Sequence, residues 1–216
     1  MSVDNNIKSI LAEIGDTTLV CVSKTVEPER INEALRAGAT ILGENRVQEF
    51  EAKCAQLLPC ESHFIGHLQT NKIKKAVQLF DVIQSVDSLK LIRKIDQRAR
   101  VLGKVQKVYL QVNIGNEPQK SGFRVEEIKK AITEIPSLKN VCVEGLMCIP
   151  PLLSPEQTRP YFRKMKYLFE EMKQENQDNI NFCELSMGMS NDYRIAIEEG
   201  ATMVRIGSAI FGKRQL

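Results

Sequence analysis

Eight short apolar runs alternate with longer amphipathic segments along the whole chain, and this alternation limits the fold more than any other feature. The runs cover 17–22, 40–42, 62–65, 81–84, 107–112, 141–145, 181–185 and 202–206. They are partly β-branched and are followed by Gly, Asn, Ser or Asp, the signature of buried strands. Between them, apolar residues recur every three or four positions. Leu89, Ile92, Ile95 and Ala99 mark one such helix face. Ser154-Pro155-Glu156-Gln157 opens another helix, with Ser as N-cap, Pro at N1 and Gln at N3. Strands alternating with helices pair in parallel, and eight such units predict a closed (β/α)8 barrel of the TIM type. Ile7, Ile10, Leu11 and Ile14 predict an extra helix over 3–14, ahead of the first strand. The units consume the chain to its end, so residues 1–216 are expected to form a single domain. The competing fold is an open doubly wound sheet. It would need a dinucleotide fingerprint at its switch point, and no G-x-G-x-x-G occurs.

Composition narrows the function classes. The net charge of +3 is small and dispersed, which predicts no nucleic-acid or anionic-membrane partner. Short basic pieces such as Lys72-Ile73-Lys74-Lys75 read as solvated helix faces. No apolar stretch approaches the length of a membrane span, and Met1-Ser2-Val3-Asp4-Asn5-Asn6 lacks the basic and apolar regions of a signal peptide. The six cysteines form no C-x-x-C pair and only two histidines accompany them, which argues against a zinc site. Free thiols in a cytoplasmic protein are expected.

In a barrel the active face is built from the loops after the strands. Lys24 ends the first apolar run, Leu19-Val20-Cys21-Val22-Ser23-Lys24. A lysine partly removed from water has a lowered pKa, and its free amine can form a Schiff base with an aldehyde. The alternative is a lysine snorkelling at a strand end. Asn45 follows strand two, where it could equally be a helix N-cap. Met147 follows strand six. Ser186, Gly188 and Ser190 follow strand seven, and Gly207 and Ser208 follow strand eight. These last two loops match the place where barrels bind phosphate, although Ser190 could simply cap a helix and Gly207 could make a turn. Arg205, at the end of strand eight, needs an acceptor or an anion; Glu44 is the alternative partner. His63 and His67 are read as structural.

Taken in order, Val22-Ser23-Lys24-Thr25, Gly43-Glu44-Asn45-Arg46-Val47-Gln48-Glu49 and His63-Phe64-Ile65-Gly66-His67-Leu68-Gln69-Thr70-Asn71-Lys72 resemble successive motifs of the pyridoxal 5′-phosphate (PLP) homeostasis proteins. So do Ser85-Val86-Asp87-Ser88, Lys120-Ser121-Gly122-Phe123, Gly145-Leu146-Met147, the segment Leu185 to Tyr193, and Val204-Arg205-Ile206-Gly207. The resemblance covers nearly the whole chain. It implies a PLP-binding barrel of fold type III, like the N-terminal domain of bacterial alanine racemase. It further implies a Schiff base on Lys24, phosphate on the loops after strands seven and eight, Arg205 beside the pyridine nitrogen, and Asn45 near the ring hydroxyl. Cys148 departs from the Thr or Ala more usual in the family, and the N-terminal segment is short; neither touches the motif residues.

Two functions follow from the resemblance. One is a monomeric PLP carrier of intracellular vitamin B6 homeostasis, delivering or buffering the cofactor for apo forms of PLP enzymes. The other is a PLP-dependent amino-acid racemase. Arginine is donor-only and stays protonated, so at the ring nitrogen it disfavours a strong electron sink. The racemase family takes its second base, a tyrosine, from another domain. Of Tyr109, Tyr161, Tyr167 and Tyr193, only Tyr193 is near the expected mouth. The carrier without turnover is the expected function.

Overall fold

The computed structural model describes residues 2–212. Eight parallel strands close into a barrel in chain order. They are β1 (Thr18–Val22), β2 (Ile41–Glu44), β3 (Glu61–Phe64), β4 (Val82–Val86), β5 (Gln106–Val112), β6 (Val141–Cys148), β7 (Ile180–Met189) and β8 (Met203–Ile206). The pairs Thr18↔Met203 through Cys21↔Ile206 join β8 to β1. A helix follows each strand: α2 (Pro28–Arg36), α3 (Val47–Lys53), α4 (Ile73–Leu79), α5 (Leu89–Val101), α6 (Val125–Glu134), α7 (Pro155–Lys173), α8 (Tyr193–Glu198) and α9 (Ser208–Phe211). Every expected strand is present. β6 and β7 run past their expected ends because polar and small residues also pair there, as in Met147↔Ser186 and Ser186↔Met203.

The expected N-terminal helix is α1 (Val3–Ile14), with Val3, Ile7, Ile10 and Ile14 buried. Its role follows from the shortness of α9, a single turn that cannot cover a strand. α1 packs against α2 and α9 and fills that place in the outer layer. Polar ties hold it there: Asn6 Nδ2 donates to the Ile210 carbonyl at 2.8 Å, and Glu13 accepts from Tyr193 Oη at 2.9 Å.

Strand side chains alternate between the two faces of the sheet. Outward residues such as Leu19, Cys21, Leu42, Ile83, Leu146 and Val204 join the core shared with the helices. A separate inner cluster of Val20, Ile41, Val82, Tyr109, Met147 and Met203 fills the barrel. The same alternation sends His63, Gln84, Ser186 and Arg205 inward, and all four are buried.

The end of β1 is held by a buried ionic cluster. Lys53, from α3, directs its ammonium at Glu44 Oε1 (2.7 Å), the Ser23 carbonyl (2.8 Å) and Glu49 Oε1 (3.0 Å). Those acceptors use the three donors of an ammonium. Ser23 Oγ donates to Glu44 Oε1 at 2.6 Å, and Glu49 accepts from the Thr25 amide. The residues on both sides of Lys24 are thereby fixed. Thr25 has φ +60°, a left-handed conformation that a β-branched residue adopts only under constraint.

Burial raises the Glu44 carboxyl above its ordinary range, while the bonds from Lys53 and Ser23 oppose the rise. A raised folded-state value means that the folded chain holds this proton more tightly than the unfolded chain. Stability from this group is therefore lost as pH rises towards the folded value. Lys53→Met removes the strongest opposing bond and widens that window upwards. The variant should lose roughly 3–5 kcal/mol near neutral pH, because it leaves a buried carboxylate unpaired. Urea unfolding should find the loss smaller at about pH 5 than at about pH 8. A loss that does not change with pH would contradict this account of the cluster.

Candidate functional site

The site lies at the mouth formed by the C-terminal ends of the strands. Lys24 follows β1 and is half-buried. Asn45 follows β2, Gly188 lies near the end of β7 and Ser190 just after it, and Gly207 and Ser208 follow β8. The β7 and β8 loops are stitched together by Ser190. Its Oγ accepts from the Gly207 amide at 3.2 Å and from the Ala209 amide at 3.4 Å. Both bonds use lone pairs, so the hydroxyl hydrogen remains available to an acceptor outside the loop. Ser190 therefore does not cap α8, whose N-cap is Asp192.

Gly188 has φ +90°, and a Cβ there would sit 2.5 Å from Ala196 Cβ. Strand-to-helix packing alone thus requires glycine at this position. Gly207 has an ordinary φ. A Cβ at Gly207 would stand 3.2 Å from the Val22 carbonyl oxygen, which places the β8 loop beside the strand that carries Lys24.

Arg205 sits below these loops. Its Nη1 donates to Ser186 Oγ at 2.8 Å and its Nη2 to the Cys148 carbonyl at 2.8 Å. Among the described residues its hydrogen bonds reach neutral oxygens, and burial pulls the guanidinium below its usual range. Glu44, the alternative partner considered from sequence, is bound instead to Lys53 and Ser23. Asn45 is not the N-cap of α3, a place taken by Arg46. Its Oδ1 is buried without a hydrogen-bond partner, a costly state that a ligand could relieve. Met147 belongs to the inner cluster and forms floor rather than loop. Against the sequence expectation, the Cys148 departure does touch a motif residue, because its carbonyl accepts from Arg205; burial pushes its thiol up to about 12, so it adds no reactive thiolate.

The far rim is tied by His67, whose Nδ1 lies 3.3 Å from Asp87 Oδ2 and 3.1 Å from Ser121 Oγ. The loops after β3, β4 and β5 meet there. A cavity of about 780 Å³ opens beside Asn45, bordered by Arg46, Gly66, His67, Gln69 and Lys72. Gly66 is obligatory in its wall, since a Cβ would meet the Asn45 carbonyl oxygen at 2.2 Å. Lys120 is engaged by Glu117 at 2.5 Å and by the Pro150 carbonyl at 2.9 Å. Tyr193 is buried, and its hydroxyl is turned away to Glu13.

Sequence reasoning missed Gln84, the full role of His63, and the cluster of Glu44, Glu49 and Lys53. Gln84 Oε1 accepts from Ser186 Oγ at 2.7 Å, and Gln84 Nε2 lies 2.6 Å from His63 Nδ1. The available signal was a Gln and a His inside apolar strands, at positions whose alternation points inward.

Comparison with known proteins gives a consistent placement. Residues 2–215 match the family model "Alanine racemase, N-terminal domain". The chain is 47% identical over 200 residues to the pyridoxal phosphate homeostasis protein of Aquifex aeolicus, covering 91% of this chain and 87% of the relative. The corresponding protein of Pasteurella multocida is 41% identical, covering 91% and 86%. The structure of PipY from Synechococcus elongatus with PLP bound superposes with a TM-score of 0.90 at 36% identity, over 98% of this chain and 100% of that one. An alanine racemase from Clostridium difficile shares the fold at a TM-score of 0.78 and 19% identity, over 98% of this chain but 55% of that one. The chain belongs to the pyridoxal phosphate homeostasis protein family, whose fold is that of the alanine racemase N-terminal domain.

Proposed function

We propose that the protein is a carrier of pyridoxal 5′-phosphate in the cytoplasm, holding the cofactor at the barrel mouth as a monomer and releasing it to apo PLP enzymes without turnover. The observation that carries this reading is Arg205, a buried guanidinium with neutral partners below loops that offer hydroxyls and backbone amides. Such a charge calls for an acceptor close by. A homeostasis relative at 47% identity and the PLP bound in the PipY structure support the same reading. The six cysteines are free thiols, which suits a reducing compartment.

The residues fit the cofactor. PLP brings an aldehyde, with which an unprotonated amine condenses with loss of water, and a phosphate dianion. Lys24 supplies the amine, set between two clamped neighbours. Ser190 donates its spare hydroxyl hydrogen to the phosphate, Ser186 holds the guanidinium below, and Gly188, Gly207 and Ser208 shape the two loops. Asn45 offers its unpartnered Oδ1 to a ring substituent that can donate. Arg205 would give a hydrogen bond to the ring nitrogen and withhold a full proton, as a donor-only group does. Met147 closes the floor. Tyr193, the tyrosine expected near the mouth, does not serve the racemase alternative as a second base, because its hydroxyl donates to Glu13.

Three outcomes test this reading. Borohydride treatment of the yellow purified protein should fix the cofactor mass on the peptide carrying Lys24; labelling of Lys72 or Lys120 instead would sink the assignment. Pyridoxal lacks the charge-assisted bonds to phosphate, each worth about 1.5–3 kcal/mol, so it should bind at least about tenfold more weakly than its phosphate. Gly207→Asp, which sets a carboxylate at the same loop, should weaken PLP binding likewise. Titration monitored by absorbance reads both, and equal affinities would contradict the phosphate site. Finally, L- and D-alanine incubated in deuterium oxide with concentrated protein should keep their configuration. Efficient interconversion abolished by Lys24→Ala would overturn the carrier reading.

A further inference from the structure

A line of hydrogen bonds runs through the barrel interior from Arg205 to the opposite end. Arg205 Nη1 donates to Ser186 Oγ at 2.8 Å, and Ser186 Oγ donates to Gln84 Oε1 at 2.7 Å. Gln84 Nε2 meets His63 Nδ1 at 2.6 Å, and His63 Nε2 meets Glu61 Oε1 at 3.0 Å. Ser186, Gln84 and His63 are buried, while the Glu61 side chain is 42% exposed at the far end of the barrel. Tyr109 packs edge-on to His63 with ring centroids 6.2 Å apart, and Met203 Sδ takes a second bond from Gln84 at 3.2 Å. The chain therefore crosses from β8 through β7, β4 and β3.

The direction of every bond follows from one end. Arginine has only donors, so Ser186 must accept from it and spend its own hydrogen elsewhere. That hydrogen goes to the Gln84 carbonyl. The Gln84 amide nitrogen then faces His63, so His63 Nδ1 must be an acceptor. The imidazole proton lies on Nε2, where the Glu61 carboxylate receives it. Reversing any link would leave a buried donor facing a donor, which costs more than the bond contributes.

We propose that Ser186, Gln84 and His63 are positioning residues for Arg205, a hydrogen-bond chain that fixes the guanidinium at the mouth and is itself polarised by it down to the Nε2–H tautomer of His63. The idea that this positioning serves a cofactor rests on the carrier reading above; the polarity of the chain does not.

The test has two arms. The first uses ¹⁵N-histidine-labelled protein without added cofactor, after removal of any bound PLP. The chain contains two histidines, so a His67→Gln variant assigns the spectrum. Long-range ¹H–¹⁵N correlation should find His63 Nδ1 unprotonated and Nε2 protonated. Gln84→Glu, which replaces the amide donor by an acceptor, should move a proton onto Nδ1. A wild-type His63 protonated on Nδ1, or a Gln84→Glu variant with the wild-type pattern, would overturn the proposal. The second arm uses PLP titration with circular dichroism as a check on folding. His63→Leu should weaken binding about fivefold and shift the bound cofactor's visible absorbance, because one buried bond is lost. His63→Asn, whose Oδ1 can accept from Gln84 as Nδ1 does, should restore affinity to within about twofold of wild type. Unchanged binding and spectrum in a folded His63→Leu would overturn the positioning role. Failure of wild-type protein to bind PLP would overturn the carrier reading alone, since the first arm still decides the chain.

Discussion

A guanidinium enclosed by a barrel and bonded to neutral oxygens is the constraint on which the rest of the interior depends. Desolvating a cation is expensive unless acceptors replace the water. The fold supplies them through register: β8 pairs with β7 so that Ser186 stands by Arg205, and β6 ends with the Cys148 carbonyl within reach. These contacts answer the hydrogen-bonding demand of the group through neutral oxygens, and the nearby Asp192 carboxylate offsets part of its charge. A cation at this place attracts an electron-rich ligand. A carboxylate partner in place of Ser186 would remove that attraction while making the free protein easier to fold.

A second, separate ionic cluster serves the other side of the mouth. Glu44, Lys53 and Glu49 immobilise Ser23 and Thr25, and so the backbone of Lys24. The left-handed Thr25 is held against its own preference, which is the usual mark of a position where geometry matters more than stability. The two devices share no side chain. The line from Arg205 is built from residues turned inside by the period-two alternation of strands, whereas the second cluster draws Glu49 and Lys53 from α3 onto the ends of β1 and β2.

Much of this was legible in the sequence. Eight apolar runs gave eight strands, and the single turn of α9 leaves a place in the outer layer that α1 fills. Lys24, Asn45, Ser190, Gly207 and Ser208 lie at the mouth because a parallel barrel puts every strand's C-terminal end on one face, whereas Met147 belongs to the inner cluster. Partnerships were less legible. Ser190 was open between helix cap and ligand group; in the structure it joins two loops. Arg205 could have paired with Glu44, but Lys53 claims that carboxylate, and no local pattern links the last residue of a strand to the last residue of the helix after it. Gln84 and His63 looked like isolated polar residues because their connection exists only across the closed barrel. Gly188, read from sequence as a ligand-loop residue, is also required by its packing on Ala196.

The most direct test of a single cofactor site at this mouth is a crystal structure of the protein grown with pyridoxal 5′-phosphate. Electron density should be continuous with Lys24 Nζ, with the phosphate against Ser190 and the β8 loop and the ring nitrogen facing Arg205. Cofactor lying instead in the groove between Asn45 and Lys72, with Lys24 unmodified and Arg205 bonded only to protein, would contradict the account.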